Sequence, residues 1–151
     1  MVTKVKLSWA DIERNVNVLT EMLKNETFDA VVSIGRGGMI PARLLAEKLD
    51  IHNAYVINAK AYDKNDKFNT MNIGDVQLAG HINKILVVDD CIFTGTTLDA
   101  VMAKIAENEH VTDITNVFLY KNEKVPEITP DFIYTEQYNG DTTWLVFPWE
   151  M

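Results

Sequence analysis

Apolar side chains recur at Trp9, Ile12, Val16, Leu19, Met22 and Leu23, spacings of three and four that gather them on one face of a helix. Ser8 stands in front of this run as an N-cap and Asp11 falls in its first turn, so a helix is predicted over about residues 9–24. From Phe28 to Ile34 the pattern changes to a short, continuous apolar stretch rich in β-branched residues that stops at Gly35, the mark of a buried strand. After Arg36, Gly37 and Gly38 a helical pattern resumes and runs to about Leu49. Ala54 to Ala61 reads as a second strand. The polar segment Tyr62–Gly74 that follows is too long and irregular for a simple turn and reads as a lid or disordered loop. Ile85 to Asp90 is the clearest buried strand. It is followed by Thr94-Gly95-Thr96-Thr97 and by a helical pattern of Leu98, Val101, Met102 and Ile105. Thr115–Tyr120 makes a further strand, and Phe132–Tyr134 and Trp144–Phe147 are shorter ones, punctuated by Pro126, Pro130 and Pro148.

Strands alternating with helices predict an α/β fold: a mainly parallel twisted sheet with helices on both faces, in which ligands bind beyond the carboxyl ends of the strands. Both glycine-containing loops fall at such ends. The 151 residues suit one domain, and the content of 47% hydrophobic and 24% charged residues is that of an ordinary globular protein. Lys plus Arg number 14 against 22 Asp plus Glu, a net charge of -8, and no contiguous basic tract exists, which argues against nucleic acid as a partner. The longest apolar stretches, such as Ile85–Val88 and Val117–Tyr120, are far shorter than the roughly 20 residues that cross a bilayer, so no membrane span is expected. The N-terminal Met1–Leu7 lacks an apolar core of the secretory kind. With Cys91 the single cysteine, no internal disulfide can form, and a cytoplasmic location is expected.

The chemistry concentrates in Ile85-Leu86-Val87-Val88-Asp89-Asp90-Cys91-Ile92-Phe93-Thr94-Gly95-Thr96-Thr97-Leu98. Two adjacent carboxylates at the end of a buried strand repel each other and lose solvation, a cost that a polyhydroxyl ligand or a cation would offset. Taken alone, Asp89 and Asp90 fit a strand-end turn with a helix cap equally well. Thr94 to Thr97 add hydroxyls and backbone N–H groups around a glycine at a helix start, a seat for a phosphate. Together they point to a ribose 5-phosphate. Other features carry less. Asp63-Lys64-Asn65-Asp66-Lys67-Phe68 begins like a calcium loop, but Lys67 occupies a ligand position and Phe68 the turn glycine. His52, His81 and His110 are scattered at element ends and read as surface residues, and Cys91 reads as a packing residue.

The run of four apolar residues, two acids and Thr-Gly-x-Thr resembles the phosphoribosyl-pyrophosphate (PRPP) motif of type I phosphoribosyltransferases. Upstream, Val31-Val32-Ser33-Ile34-Gly35-Arg36-Gly37-Gly38-Met39-Ile40-Pro41-Ala42 resembles that family's pyrophosphate loop, one unit earlier as the family has it. Within the family, Leu7-Ser8-Trp9 and Trp144-Leu145-Val146-Phe147-Pro148-Trp149-Glu150 are similar to the bacterial xanthine-guanine enzymes. The resemblance implies one phosphoribosyltransferase domain over 1–151, with a core of about 26–121 and a small hood from about 1–25 and 122–151. It also implies transfer of the 5-phosphoribosyl group from PRPP to N9 of a 6-oxopurine with release of pyrophosphate, Mg2+ as cofactor, and a homo-oligomer, dimer or tetramer.

Carried over residue by residue, the resemblance gives Thr94, Gly95, Thr96 and Thr97 the 5-phosphate. Arg36, Gly37, Gly38 and Lys60 take the pyrophosphate, the loop often containing a strained cis peptide. Asp89 and Asp90 take the ribose hydroxyls and, with Glu150, the metal side, partly through water or ligand; Arg36, Asp89 and Asp90 are the catalytic set. Trp144 would stack on the purine, main-chain groups of Leu145 would read its edge, and Lys121, a donor only, would select an oxo over an amino group. Trp149 reads better as a core or interface residue. Lys60-Ala61-Tyr62 opens the lid, with Ala61 where related lids have serine. The main departure is Phe93, where 6-oxopurine enzymes carry an aspartate that serves purine N7. Phenylalanine cannot move a proton, which keeps open both a different base and a PRPP- or nucleotide-binding regulator on the same fold.

Overall fold

The structure, a computed structural model, describes residues 1–61, 71–126 and 132–150. Five strands form one parallel sheet: β2 (Ala30–Ile34), β3 (Ala54–Ile57), β6 (Lys84–Ile92), β7 (Asp113–Asn122) and β8 (Phe132–Tyr138), in the order β3-β2-β6-β7-β8. β1 (Thr3–Lys6) pairs in parallel with β9 (Thr143–Val146), tying the two ends of the chain together, and β4 (Ala59–Ala61) pairs antiparallel with β5 (Met71–Ile73). The helices are α1 (Trp9–Leu23), α2 (Met39–Leu49) and α3 (Thr96–Ile105), and a single 3-10 turn, Pro148–Glu150, follows β9.

Alternation along the central strands sends successive side chains to opposite faces. Val31, Leu86, Val88, Val117 and Leu119 pack under α1 and α2 with Ile12, Val16, Leu19, Leu23 and Leu45. Val32, Ile85, Val87 and Phe118 pack under α3 with Leu98, Val101 and Ile105. The sheet is thus covered on both sides, as its near-continuous apolar strands require. α1 begins where the sequence places it: Ser8 Oγ accepts from the N–H of Asp11 (3.0 Å), and the Asp11 carboxylate accepts from the N–H of Ser8 (2.7 Å), a reciprocal capping box. One strand in from the β8 edge, Asn15 donates 2.8 Å to the Tyr120 hydroxyl, a buried bond that seats α1 on β7.

Several expectations change. The strand expected over Ala54–Ala61 divides at Asn58, the first part staying in the sheet and the second leaving it to join β5. Of the expected lid, residues 62–70 lie outside the described residues and Met71–Ile73 is strand. β7 runs two residues past its expected end at each side, and β8 runs on to Tyr138. β8 is also the fifth strand of the sheet and not part of a hood, because its parallel pairing with β7 completes the face that holds Phe118 and Phe132. β1, four exposed residues with no apolar pattern, was not expected; it forms because β9 offers it a ladder. Among the described residues no helix is long and apolar enough to cross a membrane.

Candidate active site

The carboxyl ends of β2 and β6 lie side by side, and the two glycine loops leave the sheet there. Gly35 turns the chain out of β2 with φ +54°, in the left-handed region where glycine carries no Cβ penalty, while its N–H donates 2.8 Å to the Ile57 carbonyl. All described peptide bonds are trans, so the cis peptide that the resemblance suggested is absent and Gly35 makes the turn instead. Gly38 then drops onto β6: a Cβ there would stand 2.2 Å from the Val88 carbonyl oxygen and 3.0 Å from Ser33 Oγ. Gly37 faces the next residue but one of the same strand, its imagined Cβ 2.7 Å from Asp90 Oδ2. Glycine at both positions therefore lets the loop backbone touch the end of β6. The contact sets Arg36 and Gly37 in an open cleft that also includes Met39, Ile40, Trp149 and Glu150.

Asp89, Asp90 and Cys91 are the partly exposed residues at the carboxyl end of β6, just before the Thr94–Thr97 loop. The N–H of Asp90 donates to Asp89 Oδ1 (2.8 Å) and that of Cys91 to Asp90 Oδ1 (2.7 Å). Burial and then the charge of Asp90 hold the Asp89 carboxyl well above the usual carboxylate range. Asp90 is raised chiefly by burial, with the Glu150 charge adding to it against the hydrogen bonds that lower it. Glu150 is held by its own backbone turn, Oε2 accepting from the N–H of Phe147 at 3.0 Å. Among the described residues no three His, Cys, Asp or Glu side chains converge closely enough to hold a metal by themselves. The oxygen-only set of Asp89, Asp90 and Glu150, with two carboxyls pushed toward their neutral forms, nonetheless fits a hard divalent cation that brings most of its ligands on a substrate phosphate. The neighbouring Cys91 thiol is pushed up by burial and by both acids, which leaves it protonated and inert, in line with a packing role.

Beyond Phe93 the chain enters α3. Gly95, φ +89°, is its N-cap, and Thr94 Oγ1 accepts from the N–H of Thr96 (3.3 Å) and donates to Thr96 Oγ1 (3.1 Å). A cavity of about 120 Å³ opens at this helix start, lined by Asp89, Phe93, Thr94, Gly95 and Thr97 among others. Asp89 at the strand end and the helix N-terminus with its hydroxyls thus share one concavity, a polyol-and-phosphate pairing.

The residues expected around a base are spread along two elements. Trp144 on β9 is 56% exposed and Phe93 46% exposed, both unusual for such large apolar groups. The N–H groups of Thr3 and Leu7 donate to the carbonyls of Thr142 and Val146 (both 2.8 Å), so β1 uses the even-numbered residues of β9. The peptide groups of Leu145 therefore face the other edge of a two-stranded ribbon. Trp149, by contrast, stacks on Phe147 (5.0 Å, 13°) and tilts against Trp9 (6.0 Å), which makes it a packing residue as expected. Lys121 is only 3% exposed, not the solvated charge that its position at a strand end would suggest. Its Nζ donates to the Asn122 carbonyl (3.3 Å) and stands 5.5 Å over the Tyr134 ring. Lys60 lies mid-way along β4 opposite Asn72. Sequence reasoning overlooked Asn122, a buried polar residue whose side chain joins Phe93 to Gly140; its only signal in the chain is an amide at the end of an apolar strand.

The family described as phosphoribosyl transferase domain matches residues 3–151. The xanthine-guanine phosphoribosyltransferase of Chromohalobacter salexigens is 32% identical over 96% of this chain and 83% of its own length, and that of Cereibacter sphaeroides is 29% identical over 96% and 86%. A purine phosphoribosyltransferase from Pyrococcus horikoshii superposes with a TM-score of 0.78 at 29% identity over 98% of this chain and 94% of that one. A xanthine-guanine-hypoxanthine phosphoribosyltransferase of Helicobacter pylori shares the fold, with a TM-score of 0.83 at 22% identity over 99% and 95%. With both glycine loops at the strand ends where the motifs require them and the family match running nearly end to end, the chain belongs to the phosphoribosyl transferase domain family.

Proposed function

We propose that the protein transfers the 5-phosphoribosyl group of PRPP to N9 of a 6-oxopurine, yielding a nucleoside 5-monophosphate and pyrophosphate, as a purine-salvage enzyme. The single observation that carries this is the cavity where Asp89 at the end of β6 meets the hydroxyl-rich start of α3, with Asp90, next in the strand, against Gly37 of the loop that carries Arg36. The names of the relatives supply the base class.

In this reading Thr94, Gly95, Thr96 and Thr97 hold the 5-phosphate, and Asp89 and Asp90 accept hydrogen bonds from the ribose hydroxyls. Their raised pKa values have the physical origin such a site needs, two carboxyls lacking the solvent or cation that would keep them charged. Arg36, Gly37, Gly38 and Lys60 receive the pyrophosphate. As the C1–oxygen bond of PRPP lengthens, negative charge gathers on the leaving group, and the fixed guanidinium of Arg36 stabilises it. Mg2+, carried on PRPP and faced by Asp89, Asp90 and Glu150, would neutralise charge on the leaving group. Trp144 gives the purine a face to stack on, the free peptide edge of Leu145 reads its rim, and Lys121 donates to the exocyclic oxygen. Catalysis is then mainly positional and electrostatic. Exposed apolar side chains on α1 and at the start of α2, Trp9, Val18, Met22 and Met39, support a homo-oligomer, and a cytoplasmic setting follows from the substrates.

The test is nucleotide formation from Mg-PRPP and a panel of guanine, xanthine, hypoxanthine, adenine and orotate. Turnover of one or more 6-oxopurines well above adenine and orotate is expected. Preference for adenine or orotate would overturn the base class and spare the PRPP site. Phe93 motivates a second reading, a PRPP- or nucleotide-binding regulator; tight PRPP binding with no turnover of any base would establish it.

A further inference from the structure

Asn122, the last residue of β7, is 5% exposed and makes two bonds to backbone that is distant in sequence. Its Nδ2 donates to the carbonyl of Phe93 at 2.9 Å, and its Oδ1 accepts from the N–H of Gly140 at 3.1 Å. One side chain therefore satisfies an acceptor on the residue just before the 94–97 loop and a donor on the turn that leads into β9. Gly140 is glycine for reasons of space: its φ lies outside the left-handed region, but a Cβ there would stand 2.5 Å from Asn122 Nδ2 and 2.8 Å from Phe93 Cε2. The Phe93 ring, the Asn122 amide and the Gly140 backbone are thus in mutual contact. The turn is braced further by the N–H groups of Thr143 and Asp141, which donate to the Asn139 carbonyl and Oδ1 (both 2.9 Å). Trp144 follows four residues after Gly140.

We propose that Asn122 is a positioning residue for the transfer reaction, fixing the strand that carries Trp144 to the phosphate loop by bridging Gly140 and Phe93. The inference rests on the proposed function, since it takes Trp144 as the base platform and the 94–97 loop as the phosphate seat. Phe93 acquires a role here: its ring lies against Gly140 as a wall of the clamp, and its carbonyl is one of the two points clamped. A buried amide whose donor and acceptor are both engaged resists displacement, because moving either partner strands a polar group away from water. The phosphate loop is organised by its own Thr94–Thr96 bonds, so the clamp governs where the base sits and not whether PRPP binds.

The experiment compares Asn122→Ala, Asn122→Asp and Gly140→Ala with a Lys124→Ala control in the full chain. It reads kcat, the KM of base and of PRPP separately, and hydrogen exchange over residues 93–97 and 139–146. Asn122→Asp keeps an acceptor for Gly140 but turns a carboxylate toward the Phe93 carbonyl, and Gly140→Ala keeps every hydrogen-bonding group while wedging the contact open. All three should raise the base KM about 10-fold and lower kcat by up to about 10²-fold, with the PRPP KM unchanged and exchange rising at both segments together. Lys124→Ala, which removes only an exposed pair, should leave the kinetics alone. Unchanged base KM and kcat in folded variants would overturn the proposal. So would an equal rise in both KM values with a general loss of protection, the signature of a merely structural role. Should Asn122→Ala not fold, Gly140→Ala carries the kinetic split. If the wild type turns over no base at all, the proposed function fails and exchange still decides the clamp: paired loss at the two segments sustains it, loss at one or neither removes it.

Discussion

Gly38 is the point where the Arg36–Gly38 loop rests on the strand that carries the acids, and Gly38→Ala should damage stability and activity together. Its backbone, φ −83° and ψ −11°, is one that alanine adopts freely, so the perturbation is steric. The new Cβ would stand 2.2 Å from the Val88 carbonyl oxygen, and reaching the 3.4 Å at which ordinary contact begins requires a retreat of about 1.2 Å. Overfilling a packed contact costs about 1–3 kcal/mol. The reduced freedom of the unfolded chain returns about 0.4–1 kcal/mol. A net loss of about 1–2 kcal/mol lowers Tm by roughly 3–6 °C for a chain of this length. The retreat also carries Arg36 and Gly37 away from Asp90, a misplacement near 1 Å that can lower kcat/KM by about 10²-fold. Gly37→Ala is the matched contrast, since the atoms nearest its Cβ are those of the Asp90 carboxylate, at 2.7–2.9 Å, so it displaces a side chain first where Gly38→Ala meets backbone. It should leave Tm near that of the wild type while lowering kcat/KM. Thermal melts and initial rates of nucleotide formation from PRPP and guanine decide both. A Gly38→Ala protein with wild-type Tm and kcat/KM would refute the close-approach argument, as would a Gly37→Ala protein with full turnover.

Asp89→Asn should stabilise the fold at neutral pH while abolishing transfer. The Asp89 pKa is raised in the folded protein, so the contribution of this carboxyl to stability is greatest below the unfolded value of 3.8 and is lost as pH rises through the folded one. The variant's advantage therefore grows upward from about pH 4, by about 1.4 kcal/mol for each unit of displacement, and a difference constant from pH 4 to 8 in chemical denaturation would disprove it. Lys121→Ala should narrow the gap between guanine and adenine turnover, because the ammonium that favours an oxo group is gone, and an unchanged ratio would take Lys121 out of base selection. Phe93→Asp supplies an acid where none exists and should raise the rate on a 6-oxopurine by up to about 10²-fold with a new pH dependence. A slower variant with the wild-type pH profile would mean that the Phe93 ring, packed on Gly140, matters more than a proton donor there.

The sheet, its two glycine loops and the family were legible because each leaves a strong local mark: a continuous apolar run ending in glycine, two adjacent acids, a hydroxyl-rich helix start. Capping at Ser8 was legible for the same reason, since both halves of the box are local. What was not legible depends on partners far away in the chain. β1 is exposed and patternless and becomes a strand only when β9 lies beside it. Asn58 looks like any residue of an extended run, yet the chain changes sheets there. Lys121 is an ordinary strand-end lysine until β8 brings Tyr134 beneath its ammonium. Asn122 and Gly140 are separated by eighteen positions and gain meaning only from contact with Phe93, so no spacing rule could have paired them.

These long-range contacts converge on one strand. Within β6 and the residues that follow it, the Val88 carbonyl seats Gly38, Asp89 lines the cavity at the start of α3, Asp90 lies against Gly37, the Phe93 carbonyl holds Asn122, and Gly95 starts α3. Both glycine loops and the strand that carries Trp144 are thus referred to a single stretch of backbone about eight residues long, buried on both faces through Val88. A central strand is the stiffest part of such a fold, and its extended geometry sets the spacing between the two ends of a ligand with phosphates at each end and a polyol between. The carboxyls in the middle are the unstable element, half-buried side by side with the charge of one raising the pKa of the other. That instability is relieved by hydroxyl donors and a cation, so the substrate that fits the spacing is also the one that removes the repulsion. Recognition of PRPP then needs little movement of the sheet, and the parts left to adjust are those that meet the base.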